Sequence, residues 1–339
     1  MSRISMSQMT FTVLLACAAL WGCQAGHTSL PFSESLELVG GEVDADTLNR
    51  GYEGYMLYCY ACHGENGDGD GPASYALRPP PRDFRVTTFK FAGVAEGLAH
   101  DEDLKRIIME GLQGTPMLNW DIPEPLVDDI IQYIKTFSPE DEGYRDYEGE
   151  LGERIVPGDD PWGDARKDEA VKRGELVYHG SATCWSCHPS YLSEADISAS
   201  TEVTKGKGIS TFRPALFQSE IKETQYTIVL RDAEPCDDED DEAAECPEGS
   251  SCFDGQCVRP VKVLPPDFTV NDVRSGESVE NLYRVLAAGI PGTAMPAWKG
   301  SLPEEDIWAM AHYVNSIIAL KDTPSARALK AKLKASQTK

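Results

Sequence analysis

Apolar residues recur along this chain at the spacing of helices. In "PLVDDIIQYIKTF" Val127, Ile130, Ile131 and Ile134 fall at i, i+3, i+4 and i+7, one stripe on an α-helix. "DIWAMAHYV" repeats that spacing in Ile307, Met310, Ala311 and Val314. Ahead of each stripe runs another helical segment, "DEDLKRIIMEG" and "VENLYRVLAAG". Each ends on glycine, which leaves a helix at positive φ without strain. Ser301, with Glu304 three residues on, reads as a capping box that starts the last helix. "RGYEGY" (residues 50–55) and "RGELVY" (residues 173–178) correspond as one more helix in each half. The pattern predicts an all-α fold.

The segments between the helices repeat as well. Residues 102–120 align with residues 280–298 without a gap, and Glu102/Glu280, Leu104/Leu282, Arg106/Arg284, Gly111/Gly289, Gly114/Gly292, Thr115/Thr293, Met117/Met295 and Trp120/Trp298 agree. Glycine and proline keep "GLQGTPMLNW" and "GIPGTAMPAW" from being helix, so each methionine can point out of a loop.

Upstream of each methionine stands a C-x-x-C-H sequence: "CYACH" with Cys59, Cys62 and His63, and "CWSCH" with Cys184, Cys187 and His188. That spacing attaches c-type haem. Two cysteines one helical turn apart reach the two vinyl groups, and the adjacent histidine meets the iron. A redox dithiol or half a zinc site also begins with C-x-x-C, but zinc needs a second cysteine pair to close each centre and the repeats supply none. The iron's other face often takes a methionine. Of the five methionines beyond the leader, Met56 precedes Cys59 by three residues, and Met109 and Met310 fall on helical patterns. Met117 and Met295 remain. His100, His179 and His312 compete as ligands on paper, but none recurs in the other half; His312 answers to Gln132, which points to a surface role.

A length of 339 residues suggests two domains, and a net charge of −25 excludes non-specific nucleic-acid binding. The N-terminus carries the apolar run "FTVLLACAALWG", too short to span a bilayer comfortably, and ends at Cys23. "LWGC" resembles a lipoprotein lipobox, which implies lipidation of Cys23; the alternative is an ordinary cleaved leader with "ACA" as its site. Either way the mature protein leaves the cytoplasm for the periplasm. Export agrees with an even cluster of cysteines, Cys236, Cys246, Cys252 and Cys257, read as disulfides with three connectivities open.

Each half thus reads helix, C-x-x-C-H, loop, helix, methionine turn, helix. This order resembles class I cytochromes c. More narrowly, "GDGDGPASYALRPPPRDF", "FKF", "DEDL" and "GTPM" resemble a family of bacterial dihaem cytochromes c. The resemblance implies two tandem cytochrome c domains at residues 45–138 and 171–320. Residues 1–23 would be leader, 24–44 and 139–170 linkers, and 321–339 a charged, frayed tail. It also implies periplasmic electron transfer by two covalent haems c between respiratory redox partners. Six-coordinate iron argues for a carrier rather than a dihaem peroxidase; a haem subunit held permanently in a membrane respiratory complex is the other reading. Arg82 in "PPRDF" is a candidate partner for a haem propionate, set against a solvated loop charge. The second half departs from the family pattern. It lacks "GDGDG", has only "PPDF" without the arginine, and carries an insertion at 218–262 with six consecutive acids. Such a run stays solvated and lacks the EF-hand pattern for Ca²⁺; docking a basic partner is a further option.

Overall fold

The computed structural model describes residues 30–146, 148–200, 225–229, 246, 250–253, 256–262 and 265–337. Cys23 and Cys236 lie outside these. A short hairpin, β1 (Leu36–Leu38) against β2 (Gly41–Val43), leads into helix α1 (Ala45–Tyr58). Asp44 starts α1 by accepting the Thr47 amide at 2.8 Å. A short helix α2 (Tyr60–His63) carries the first C-x-x-C-H, and a long loop containing β3 (Val94–Ala95) leads to α3 (Asp101–Glu110) and α4 (Glu124–Lys135). The predicted stripe of α4 is buried: Val127, Ile130 and Ile131 are fully covered, packed with Tyr55, Leu104 and Ile108.

What lets α1 lie so close on α4 is the absence of side chains. A Cβ on Gly51 would collide with the Asp129 carbonyl, and one on Gly54 would come within 2.8 Å of Ile130. Arg50 seals the crossing with an ion pair to Asp129 at 2.7 Å.

The same design recurs downstream. Strand β4 (Glu153–Arg154) precedes α5 (Lys167–His179) and α6 (Glu194–Ala199); after the insertion come α7 (Val279–Ala288), α8 (Glu304–Ile318) and α9 (Pro324–Gln337). Helix α5 crosses α8 at Gly174, where a Cβ would collide with the Ala309 carbonyl. Arg173 holds Asp306 through two bonds of 2.6 and 2.8 Å. Ile307, Met310, Ala311 and Val314 are buried with Trp308, Leu282 and Leu286 in a second core.

Several expectations need correction. Helices dominate, but small antiparallel sheets accompany them. Besides β1–β2, β3 pairs with β4, and the insertion holds β5 (Gln225–Val229), β6 (Ser251–Phe253) and β7 (Gln256–Lys262) in the order β5-β7-β6. Cys246 bonds Cys257, and Cys252 is also in a disulfide. Ser301 does not cap α8: Pro303 stands at that position, and Ser301 instead closes a turn onto the Trp298 carbonyl. The one complete capping box of this kind in the described helices is Ser193 with Asp196. His312 is not at the surface. It is 4% exposed, with Nε2 2.7 Å from Asp160. The C-terminal segment is a docked helix. Ala326 and Leu333 of α9 are buried, and Lys330 and Lys332 pair with Asp267 and Asp196.

Residues 139–170 join the two cores. The Ile155 amide bonds the Gly93 carbonyl at 2.8 Å while its side chain enters the second core. Glu153 pairs with Lys299, Asp160 meets His312, and Trp162 Nε1 donates to the Glu305 carbonyl. Among the described residues no helix is long and apolar enough to cross a membrane.

Gly174→Ala should lower the melting temperature by several degrees. Forced overpacking costs ~1–3 kcal/mol and outweighs the better helix propensity of alanine. Gly158→Ala, where a Cβ meets nothing within 4 Å, should leave it almost unchanged. Thermal unfolding followed by circular dichroism compares the two. His179 gives a pH test. It is buried at the end of α5, its Nδ1 2.9 Å from the Glu175 carbonyl, and burial pushes its pKa down to about 4. The unfolded chain therefore binds the extra proton first, so stability should fall as pH drops from the ordinary histidine value toward 4. Urea titrations across that window should show a weaker pH slope in His179→Gln.

Candidate functional site

Both C-x-x-C-H sequences are wound into tight turns. The Cys62 and His63 amides both bond the Cys59 carbonyl, at 3.1 and 2.9 Å; those of Cys187 and His188 bond the Cys184 carbonyl at 3.0 and 2.8 Å. A buried tyrosine from the preceding helix holds the backbone just past each histidine. Tyr55 Oη donates to the Gly64 carbonyl and Tyr178 Oη to the Pro189 carbonyl, both at 2.7 Å.

The two histidines are oriented alike. His63 Nδ1 lies 3.0 Å from the Arg82 carbonyl, and His188 Nδ1 3.3 Å from the Pro266 carbonyl. A carbonyl only accepts, so the proton sits on Nδ1 and Nε2 presents its lone pair, the form that ligates a metal. Phe84 stacks on His63 with ring centres 4.3 Å apart, and Phe268 on His188 at 5.1 Å. Burial pushes both imidazoles down to about 4, so they are neutral near pH 7. Burial also pushes the Cys59 and Cys184 thiols up to about 12, the opposite of a reactive dithiol.

The methionine turns share one set of hydrogen bonds. Met117 O accepts from the Leu112 amide at 2.8 Å, and Met295 O from the Ile290 amide at 3.1 Å. Thr115 Oγ1 donates to the Leu112 carbonyl and Thr293 Oγ1 to the Ile290 carbonyl, both at 2.7 Å. Each threonine oxygen then accepts the methionine amide at 3.1 Å. Gly111 (φ 70°) and Gly289 (φ 71°) start the turns, and a Cβ on either would meet returning backbone at 2.6 or 2.7 Å.

All of these ligand candidates line one cavity of about 1340 Å³: Cys59, Cys62, His63 and Met117 from one half, Cys184, Cys187, His188 and Met295 from the other. A pocket for a single small ligand is ~300–1,000 Å³, so this one has room for more. Its remaining walls include Phe84, Leu104, Ile134, Phe268 and Leu286, an apolar lining suited to a porphyrin face. Imidazole nitrogen, thioether sulfur and paired cysteines fit haem c. Met310 also reaches the cavity, from the buried wall of α8. His100 is held by the Gly152 carbonyl, His179 by Glu175 and His312 by Asp160, and none of the three lines it.

Arg82 is neither a solvated charge nor only a side chain. Its guanidinium donates to the Val86 and Thr88 carbonyls, bracing the loop whose own carbonyl orients His63. In the second half Pro266 takes its place, and the anchoring differs. The Phe84 amide bonds the Gly67 carbonyl of "GDGDG" at 2.6 Å, whereas the Phe268 amide bonds the hydroxyl of Tyr191 at 2.9 Å. Sequence reasoning missed the roles of Phe84, Phe268, Tyr191 and the two threonines. For the threonines and phenylalanines the signal was their recurrence in the repeat; Tyr191 left none.

This arrangement is similar to that of a cytochrome c domain. Residues 260–314, which hold α7, the second methionine turn and most of α8, match the family described as cytochrome c oxidase, cbb3-type, subunit III. Such a domain implies covalently bound haem c and haem-mediated electron transfer. A solved chain of the reducing HAO-like protein complex of Kuenenia stuttgartiensis is similar to this one. It aligns at 25% identity and a TM-score of 0.52 over 79% of this chain and 96% of that chain. No curated protein matches.

Replacing Thr115 or Thr293 with valine removes one donor and one acceptor at nearly constant volume. The cost of ~1 kcal/mol should weaken methionine as a ligand about fivefold on that side. Imidazole titration of the oxidised protein, read by visible absorption, should show easier displacement, and Thr→Ser should restore the original value.

Proposed function

We propose that the chain binds two haems c in two tandem cytochrome c domains and carries single electrons between exported redox partners. His63 and Met117 would ligate one iron, His188 and Met295 the other. The carrying observation is the duplicated methionine turn, hydrogen-bonded alike in both halves and opening on the cavity that both C-x-x-C-H turns line. When bound, haem supplies a one-electron Fe(III)/Fe(II) couple. The chain's own residues do the rest. They fix a neutral imidazole on one side, hold a thioether in a braced loop on the other, and exclude water with buried aromatic rings. Ligands from the chain on both sides of each iron would leave no face open for substrate, which favours a carrier over a peroxidase-type enzyme. The leader and Cys23 support a periplasmic location on a lipid anchor.

A second reading is that of a haem subunit held in a larger assembly. It draws support from the solved neighbour, one chain of a multi-protein complex, 96% of which aligns with this protein. The chemistry is the same in both readings; only the residence time on the partner differs.

Purified mature protein should contain two covalent haems per chain by pyridine haemochrome and, when oxidised, show the sulfur-to-iron charge-transfer band. Met295→Ala should abolish about half of that band and open one iron to CO after reduction. An intact band in that variant would mean that another residue serves the second iron, and peroxide turnover by the wild type would sink the carrier reading.

A further inference from the structure

The family match stops at residue 314, whereas α9 runs from Pro324 to Gln337. Helix α9 is docked rather than merely appended. Ala326 and Leu333 are buried, and Leu329 packs against the second core. Leu329 and Lys330 share a small crevice with Pro189, Tyr191 and Asp267. The helix therefore rests on both chain segments that flank the second imidazole: the residues just after His188, and the loop whose carbonyl meets it.

Asp267 is the hub of that loop. Its chain neighbours are the two residues that touch His188: Pro266, whose carbonyl lies 3.3 Å from Nδ1, and Phe268, whose ring stacks on the imidazole. Asp267 Oδ1 accepts the Thr269 amide at 2.9 Å, the Thr269 hydroxyl at 2.7 Å and the Tyr191 hydroxyl at 3.4 Å. Tyr191 Oη in turn accepts the Phe268 amide at 2.9 Å. Asp267 Oδ2 faces α9, where Lys330 Nζ stands 3.3 Å away. Donors on both oxygens fix the plane of a carboxylate that donors on one would leave free to turn. The first half manages without such a helix. Phe137, just past α4, backs Phe84 with ring centres 6.3 Å apart, and the Gly67 carbonyl takes the Phe84 amide. In the second half a rotatable hydroxyl does the work of that carbonyl, and Asp267 orients it.

We propose that α9 is a positioning element of the second centre: Lys330 holds Asp267, and Asp267 keeps the Pro266 carbonyl and the Phe268 ring on His188. This rests on the two-haem reading above. A carbonyl that accepts the ring proton firmly makes the imidazole a stronger donor to iron. The end of the chain thus governs ligand strength at the second centre and not at the first.

In reduced, full-length holoprotein the ring N–H of each ligating histidine can be followed by NMR as it exchanges with deuterated water. Lys330→Met should speed exchange at His188 roughly two- to fivefold, the range expected of a partly exposed ion pair, and leave His63 at its original rate. Lys330→Arg should restore the slow rate. Asp267→Asn should give a similar increase, and adding Lys330→Met to it should change nothing further. Lys332→Met separates positioning from docking, because it cuts the other ion pair of α9, to Asp196 at 3.2 Å; His188 should then exchange as in the wild type. An unchanged rate in Lys330→Met, a matching rise at His63, or an equal rise in Lys332→Met overturns the proposal. If Asp267→Asn does not fold, the Lys330 and Lys332 variants decide alone. A single haem in the wild-type protein overturns the two-haem reading and this inference with it, and the haem count tells the two failures apart.

Discussion

The structure depends first on a backbone carbonyl meeting an imidazole. The contact of Arg82 O with His63, and of Pro266 O with His188, fixes which ring nitrogen carries the proton and where the other points. Much of the surrounding loop exists to hold that carbonyl. The arginine braces it from one side in the first half, the stacked phenylalanine comes two residues later in both, and the tyrosine of the preceding helix ties down the backbone beyond the histidine. A carbonyl suits the task because its acceptor role does not change with pH, whereas a carboxylate would add charge to a buried imidazole.

The two halves solve the same packing problem with the same residues. A glycine at each helix crossing lets α1 lie on α4 and α5 on α8 at backbone contact. An arginine one residue earlier pairs with an aspartate across the gap in each case. The halves diverge where the chain has been lengthened. The compact glycine-rich loop that supports Phe84 has no equivalent after His188, and a tyrosine hydroxyl stands in for the missing carbonyl. Ligand geometry is kept while its supports are exchanged.

Much of this was legible in the sequence, because helices announce themselves by period and the motifs by spacing. The stripes of α4 and α8 and the glycine exits lie where the pattern put them. The misses have physical reasons. Strands of two or three residues, such as β3 and β4, are too short to show alternation. Ser301 fits the capping-box spacing, but a proline at the true boundary leaves no place for it. His312 reads as a surface residue when set against Gln132, yet burial of that position is set by Asp160, which arrives from a segment with no repeat partner. Arg82 stands out in the sequence by its side-chain charge, while the atom that meets His63 belongs to its backbone.

The terminal helix α9 has a consequence for how the protein matures. A chain is made from its N-terminus. The first centre has nearly all its parts once residue 155 has emerged; the bond from Gln113 to Arg274 is among the few pieces still to come. The second centre is complete only when α9 has docked, since Lys330 ties down Asp267 beside Pro266 and Phe268. The first C-x-x-C-H turn can therefore be largely enclosed before α9 is made, while the second waits for that helix.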